Sequence, residues 1–94
     1  MDALPDDVIE RVKQDFREDK VGTVLELLSE YDGKEPGRVI RCIVHLSEGS
    51  ESLLLSNLET AYKDYRDIIY FAEYDRADNH LHDFQQPFTF EHGA

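Results

Sequence analysis

Cysteine is almost missing from this chain, which has a single thiol, Cys42, among its 94 residues. One thiol excludes an internal disulfide and any metal site built from several cysteines. A chain of this length must then be held together by one hydrophobic core, and its composition is typical of a reducing compartment. The opening sequence MDALPDDVIERV is acidic and has no apolar segment of the kind found in signal peptides. We therefore expect a cytoplasmic protein.

Long apolar runs and cations are scarce as well. No run approaches the roughly 20 apolar residues of a membrane-spanning helix. Ten Lys and Arg stand against 21 Asp and Glu, which gives a net charge of -11. Such a polyanion repels phosphate backbones and anionic lipid surfaces, so we expect neither a nucleic-acid partner nor a membrane partner. Basic proteins or cations are favoured instead, although acidity by itself also keeps a small protein soluble.

Apolar residues recur at the spacing of an α-helix through most of the chain. The predicted helices cover residues 5 to 18, 20 to 32, 36 to 48 and about 50 to 74. The last of them is either continuous or divided near Lys63 and Asp64. Proline suits the first turn of a helix, glycine its C-terminus, and serine or aspartate its N-cap. The residues that mark helix ends in this way are Pro5, Asp19, Gly33, Pro36, Gly49 and Ser50.

The third predicted helix is apolar around most of its circumference, as expected of a central helix. Short connections join it to its neighbours, which favours antiparallel packing. We predict an all-α fold, one domain over residues 1–94, with four or five helices in an antiparallel bundle or a short stack of helical hairpins. Residues 75–94 include Phe84, Phe88 and Phe90, so we expect this aromatic C-terminal segment to pack across the helices.

The stretch DYRDIIYFAEYD, residues 64 to 75, combines four aromatic residues with four acids. On a helix its aliphatic residues share one buried stripe, whereas Tyr70 and Tyr74 lie four apart on the outer face, one turn after Arg66. Tyr and Arg are enriched at the centres of protein interfaces. The pattern favours a protein-docking patch that comprises Arg66, Tyr70, Tyr74, Phe84 and Phe88. The alternative is structural, with the C-terminal segment folded over both tyrosines. The acids of the stretch are expected to be solvated or paired.

A second candidate site is a basic face on the third predicted helix. Arg38, Arg41 and His45 follow one another at spacings of three and four, so they share one side of that helix. Such a face could hold a phosphate or a carboxylate, and it would also match an acidic strip on a second copy of the protein. The alternative is that these cations pair with the many acids of the same chain.

Two further groups of residues are of the types used in cysteine catalysis and in metal binding, but neither group forms a complete site. Cys42 and His45 lie three apart on a helix, as a nucleophile and its base would, but no oxyanion-stabilising turn accompanies them. The segment DNHLHD, residues 78 to 83, holds His80 and His82 with acids that suit zinc or nickel, but no distant ligands are evident. We therefore predict no enzyme, no metal site and no cofactor.

Several segments form one pattern: GRVIRCIVHLSEGS, a leucine-rich helix, DYRDIIYFAEYD, and a DF-x-x-PF tail at Asp83, Phe84, Pro87 and Phe88. Read together, and above all over residues 37 to 75, they resemble a group of small bacterial proteins of unknown function. The resemblance implies a bacterial, cytoplasmic, helical protein, and it assigns no catalytic residue.

These observations predict a small acidic protein-interaction module without catalytic activity. Its partner would be another protein or a second copy of itself, as a homodimer. Two alternatives stay open. One is a small-ligand or anion-binding protein that uses Arg38, Arg41 and His45, and the other is an enzyme that uses Cys42 and His45.

Overall fold

The helical periodicity of the sequence appears in the structure as five α-helices. The structure is a computed structural model that describes residues 4–89. The helices are α1 (Asp6–Asp15), α2 (Glu18–Ser29), α3 (Pro36–Ser47), α4 (Glu51–Lys63) and α5 (Tyr65–Glu73). Together they make the described part of the chain 65% helical, with no strand in it. The prediction of an all-α fold is confirmed.

Helix α3 lies at the centre of the fold, as its apolar circumference predicted. Its side chains from Val39 to Val44 are all buried, and the helix packs against α1, α4 and α5. Buried residues from all five helices and from the C-terminal segment belong to one hydrophobic cluster. A central helix that contacts three others buries apolar surface on several sides, which is the main source of stability for a chain without cross-links.

The ends of α3 follow the sequence signals. Pro36 lies in its first turn, where the missing N–H costs no helical hydrogen bond. The chain leaves α3 through left-handed backbone at Glu48 (φ 49°) and Gly49 (φ 77°). Ser50 then caps α4, because its side-chain oxygen accepts a hydrogen bond from the N–H of Leu53 at 3.3 Å.

The predicted bounds of the first two helices are wrong at their junction. Helix α1 stops at Asp15, because Phe16 adopts extended backbone and is buried. Helix α2 starts at Glu18, so Arg17 rather than Asp19 is its N-cap, and no side chain caps it. Burial of the Phe16 ring therefore determines where the chain turns. It outweighs the local preference of Asp19 for the N-cap position.

The predicted end of α2 is also wrong. The helix ends at Ser29 instead of residue 32, and Tyr31 turns inward with a fully buried ring. The hydroxyl of Tyr31 donates a hydrogen bond to the carbonyl oxygen of Lys34 at 3.2 Å. Gly33 does not take the predicted left-handed conformation. Its lack of a side chain serves close packing instead, because a Cβ there would collide with the Tyr31 ring.

Of the two predicted forms of the last helix, the structure has the divided one. Asp64 adopts extended backbone (φ -159°, ψ 101°) between α4 and α5. Its carboxylate accepts a hydrogen bond from the backbone N–H of Arg66 at 3.1 Å, so it caps α5. Aspartate is a favoured N-cap, which explains why the helix restarts at this residue.

Residues 75–89, here called the strap, follow α5 without regular secondary structure except for one isolated bridge between Tyr74 and His80. Phe84 and Phe88 of the strap are buried against the helices, with 7% and 9% of their surface exposed. The expectation that an aromatic segment packs across the helices is confirmed over these residues. Phe90, for which the same expectation was made, lies outside the described residues.

Candidate functional site

A buried carboxylate at the end of α5 joins three parts of the fold. Glu73 is fully buried and accepts two hydrogen bonds from Arg38 of α3, at 2.8 Å from Nε and 2.7 Å from Nη2. Nε2 of His80 lies 3.0 Å from the same carboxylate, and the backbone N–H of Phe84 donates to it at 3.2 Å. Burial acts to raise the pKa of Glu73, but these hydrogen bonds outweigh it and the pKa is lowered.

A second carboxylate repeats this arrangement on α1. Asp7 accepts hydrogen bonds from Nε and Nη2 of Arg41 at 2.7 and 2.9 Å. The backbone N–H of Phe88 donates to Asp7 at 3.0 Å. The hydrogen bonds from Arg41 lower the pKa of Asp7, and that from Phe88 adds to the effect, against the opposing effect of burial. Each arginine of α3 therefore fixes one carboxylate, and each carboxylate holds one phenylalanine of the strap.

These pairs account for most of the basic face predicted on α3. Arg38 and Arg41 already bind carboxylates in the two-pronged geometry that would serve an external anion. His45 lies elsewhere, with its ring 4.8 Å from that of His82 and 5.0 Å from that of Phe84. The alternative of pairing within the chain is thus correct for Arg38 and Arg41, whereas His45 packs against rings and pairs with no acid in the described residues.

A shallow cleft lies beside these rings. It has a volume of about 490 Å³ and is lined by Arg11, His45, His82, Phe88 and other residues of the strap. Burial lowers the pKa of His45, and the nearby His82 and Arg11 lower it further. The guanidinium of Arg11 lies over the ring of Phe88, 4.6 Å from its centre, and also pairs with Asp15. The cleft is therefore the edge of the groove that holds the strap.

Cys42 lies in the core rather than in a cleft. Its side chain is fully buried, and burial raises the pKa of the thiol to about 12. A nucleophilic cysteine needs the opposite, an accessible thiol whose pKa is lowered by a base or a positive charge. His45 does not supply that effect, because its ring packs against His82 and Phe84.

The histidines of the segment DNHLHD separate in the structure. His80 turns to Glu73, whereas His82 stacks near His45 and Phe84. Within residues 4–89, no three residues of the types His, Cys, Asp and Glu converge on a point that could hold a metal ion.

The outer face of α5 presents two adjacent aromatic side chains to solvent. Tyr70 is 45% exposed and Phe71 is 59% exposed, although Ile68, Ile69 and Ala72 of the same helix are buried. The two aromatic rings meet edge to face with their centres 6.2 Å apart. Large aromatic residues that lie next to each other on a surface mark an interaction site more often than isolated ones do. We call Tyr70, Phe71 and Tyr74 the α5 face.

The start of the strap braces the α5 face. Tyr70 stacks on Tyr74, with ring centres 5.6 Å apart and planes 18° apart, and Tyr74 stacks in turn on His80 at 4.7 Å. The hydroxyl of Tyr70 donates a hydrogen bond to Asp78. Asp75 holds the intervening turn, because its carboxylate accepts hydrogen bonds from the backbone N–H of residues 77 and 79. The start of the strap therefore contacts the α5 face through stacked rings and hydrogen bonds.

Of the three residues predicted to follow one another along the outer face, Arg66, Tyr70 and Tyr74, only the two tyrosines contact each other. Arg66 is exposed and turns back to Asp64, with Nε 3.0 Å from the carboxylate. The stack continues from Tyr74 to His80 instead. Arg66 therefore lies at the rim of the α5 face, one turn before Tyr70.

The surroundings of the α5 face are acidic. Asp67 is exposed one turn before Phe71, and Asp78 binds Tyr70 directly. The pKa of Tyr70 is raised, because its hydroxyl donates to Asp78 and because the negative charges of Asp78 and Asp75 disfavour a phenolate. A partner that approaches this face meets an aromatic centre bordered by Asp67 and Asp78, with Arg66 at the rim already paired to Asp64.

Two residues of the predicted docking patch do not lie on the α5 face. Phe84 and Phe88 are buried against α1 and α3, with their ring centres 5.7 Å apart. The alternative that the strap covers the tyrosines is correct only in part, because His80 stacks on Tyr74 while Tyr70 stays exposed.

Sequence reasoning missed three residues that shape the site. The prediction that Glu73 is solvated or paired is correct in its pairing with Arg38 but did not include its complete burial. Its position four residues after Ile69, at the edge of the buried stripe, was a signal for that burial. Asp7 lies in the first turn of α1, where an acid is ordinary, and nothing in its neighbourhood along the chain points to Arg41. Phe71 is absent from the predicted docking patch, although it is one of the most exposed apolar residues described.

Comparisons of the chain with protein-family models, with curated proteins and with solved structures found no match. The resemblance to small bacterial proteins therefore stays an expectation. No helix within the described residues is both long enough and apolar enough to cross a bilayer.

Proposed function

We propose that this protein is a non-catalytic docking module that binds a basic protein partner through the α5 face. Tyr70 and Phe71 form the centre of the contact, and Tyr74 and Arg66 lie at its rim. The observation that carries the proposal is the exposure of two adjacent aromatic side chains on an ordered helical face. Aromatic residues in such a position supply large contact area and are typical interface hot spots.

The order of the face supports a role in binding. Tyr70 is held by its stack on Tyr74 and by its hydrogen bond to Asp78. Side chains that are already fixed lose little conformational freedom when a partner binds, so more of the contact free energy contributes to affinity.

Charge decides which kind of partner suits the face. The chain carries a net charge of -11, and Asp67 and Asp78 border the aromatic centre. A homodimer through this face would bring like charges together around a two-fold axis, which is costly. A basic surface with an apolar pocket would instead be attracted at long range and would bury both rings. The proposed partner is therefore a different, basic protein.

The test is capture of partners on immobilised protein, followed by measurement with the purified partner. Wild type is compared with the double variant Y70A/F71A. The matched control is L53A/L55A, which removes two apolar side chains of α4 that are 44% and 50% exposed. We expect a basic protein that binds wild type and the control and loses at least tenfold in affinity on Y70A/F71A. Its association rate should also fall as salt is added.

The result that contradicts the proposal is equal binding by Y70A/F71A and wild type when circular dichroism shows both to be folded. Sedimentation of the wild type as a dimer that Y70A/F71A turns into a monomer would replace the basic partner with a second copy. Loss of binding on L53A/L55A alone would move the docking surface to α4.

A further inference from the structure

The strap is held in the way that a bound peptide is held. Of residues 76–89, only Phe84 and Phe88 are buried, and the other twelve are exposed. The two anchors are four residues apart, and Pro87 precedes the second. A segment whose only buried side chains are two aromatic anchors resembles a peptide ligand that binds through a few hot-spot residues.

The bundle recognises the backbone of the strap as well as its anchors. Glu73 and Asp7 accept the backbone N–H groups of Phe84 and Phe88 at 3.2 and 3.0 Å. Arg41 donates to the carbonyl oxygen of Phe84 at 3.4 Å. Backbone groups are the same in every peptide, so these hydrogen bonds specify spacing and direction rather than the identity of the exposed residues.

The walls of the groove select aromatic anchors. The ring of Phe88 lies under the guanidinium of Arg11, and the ring of Phe84 lies against that of His45. Arg11, His45 and both strap phenylalanines line the cleft of about 490 Å³ beside the strap, which leaves room next to the anchors. An aromatic ring gains the most from a cation above it and from a neighbouring ring at its edge.

We propose that the groove formed by α1, α3 and the end of α5 is a peptide-binding site, which the strap of the same chain occupies in the free protein. Its ligand is an extended segment of a partner with two aromatic residues four positions apart and proline before the second, as in Phe-x-x-Pro-Phe. This site is separate from the α5 face, and the inference does not depend on the function proposed above.

Competition with the strap determines how such a peptide binds. A tethered segment acts at an effective concentration of about millimolar, so a free peptide binds wild type only weakly. Removal of the two anchors from the strap leaves Asp7, Arg41 and Glu73 in place and frees the groove. The same peptide should then bind much more tightly.

The experiment uses the full chain and a fluorescein-labelled peptide LHDFQQPFT, the sequence of residues 81 to 89. Fluorescence anisotropy measures its binding to wild type and to F84A/F88A. We expect at least tenfold tighter binding to F84A/F88A than to wild type. The same peptide with both phenylalanines replaced by alanine should not bind. L53A/L55A should bind the peptide as wild type does, because it removes only exposed side chains of α4.

Equal affinity of the peptide for wild type and F84A/F88A would overturn the inference, since the peptide would then bind elsewhere. Absence of binding to a folded F84A/F88A would overturn it too. If circular dichroism shows that F84A/F88A and the milder F88A are both unfolded, peptide is added to F88A. Recovery of the helical signal supports the groove as a peptide site, and no recovery at saturating peptide contradicts it.

Discussion

Arg38 of α3 binds the buried carboxylate of Glu73, 35 residues further along the chain, through two hydrogen bonds of 2.8 and 2.7 Å. The same carboxylate accepts the backbone N–H of Phe84, so one ion pair connects the central helix, the end of α5 and the strap. Removal of one partner from a buried ion pair lowers the stability of the fold strongly, because the other charge stays buried without a counter-charge. Removal of one partner from a surface pair costs far less. The contacts of Glu73 therefore determine where the strap can lie.

Substitution E73Q should destabilise the protein by about 3 kcal/mol. Glutamine keeps the size of the side chain but leaves Arg38 without its counter-charge. Urea unfolding followed by circular dichroism measures the change. The control is E59Q, because Glu59 pairs with Lys63 at the surface with both side chains more than 70% exposed, and we expect no measurable change there. Equal stability of E73Q and wild type would show that the pair does not hold the strap.

Stability should fall in acid as Asp7 and Glu73 become protonated. Both have a lowered pKa in the folded protein, below their ordinary values of 3.8 and 4.5. The unfolded chain therefore binds protons more readily than the folded one, and the free energy of unfolding decreases as the pH drops from about 4.5 through the folded pKa values. Above that window their contribution is fully present.

Urea unfolding at a series of pH values between 7 and 3 checks this dependence. The variants D7N and E73Q should show a shallower decline than wild type, because each lacks one of these two paired carboxylates. A decline as steep in both variants as in wild type would assign the acid sensitivity to other groups.

Two glycine substitutions should change stability in opposite directions. Gly49 has left-handed backbone, and a Cβ there would collide with the backbone carbonyl oxygen of Asp15, so G49A should cost about 2 kcal/mol or more. Gly22 lies within α2 with open space around its Cβ position, so G22A should stabilise by about 0.5–1 kcal/mol. Thermal unfolding of both variants checks the prediction, which fails if the two changes have the same sign.

Cys42 should react slowly with iodoacetamide at neutral pH. Its thiol is fully buried, and burial raises its pKa to about 12, so both access and the thiolate fraction are low. Mass spectrometry of alkylated protein at increasing urea measures the rate, which should rise with the unfolded fraction. If the folded protein were labelled at the rate of a free cysteine, the result would support the alternative in which Cys42 is reactive.

The sequence predicted helix ends correctly where those ends depend on residues within one turn. Pro36, Gly49 and Ser50 mark helix ends correctly, because capping and backbone conformation depend on residues within one turn. The bounds near Phe16 and Tyr31 were wrong, because those rings are buried by residues distant in sequence, and their burial outweighs the preference of Asp19 or Gly33.

The sequence by itself determined that the protein is helical and acidic and that α3 is central, because periodicity and charge are properties of neighbouring residues. The phenylalanines of the C-terminal segment predicted that it packs on the helices, but the sequence also placed Phe84 and Phe88 in the docking patch. Only the tertiary structure decided that Arg38 and Arg41 bind Glu73 and Asp7, and that Phe71 joins Tyr70 on the exposed face. Those outcomes depend on which side chains, distant in sequence, come into contact in the folded protein. A cation spaced for an external anion is indistinguishable in sequence from one that already has its partner within the fold.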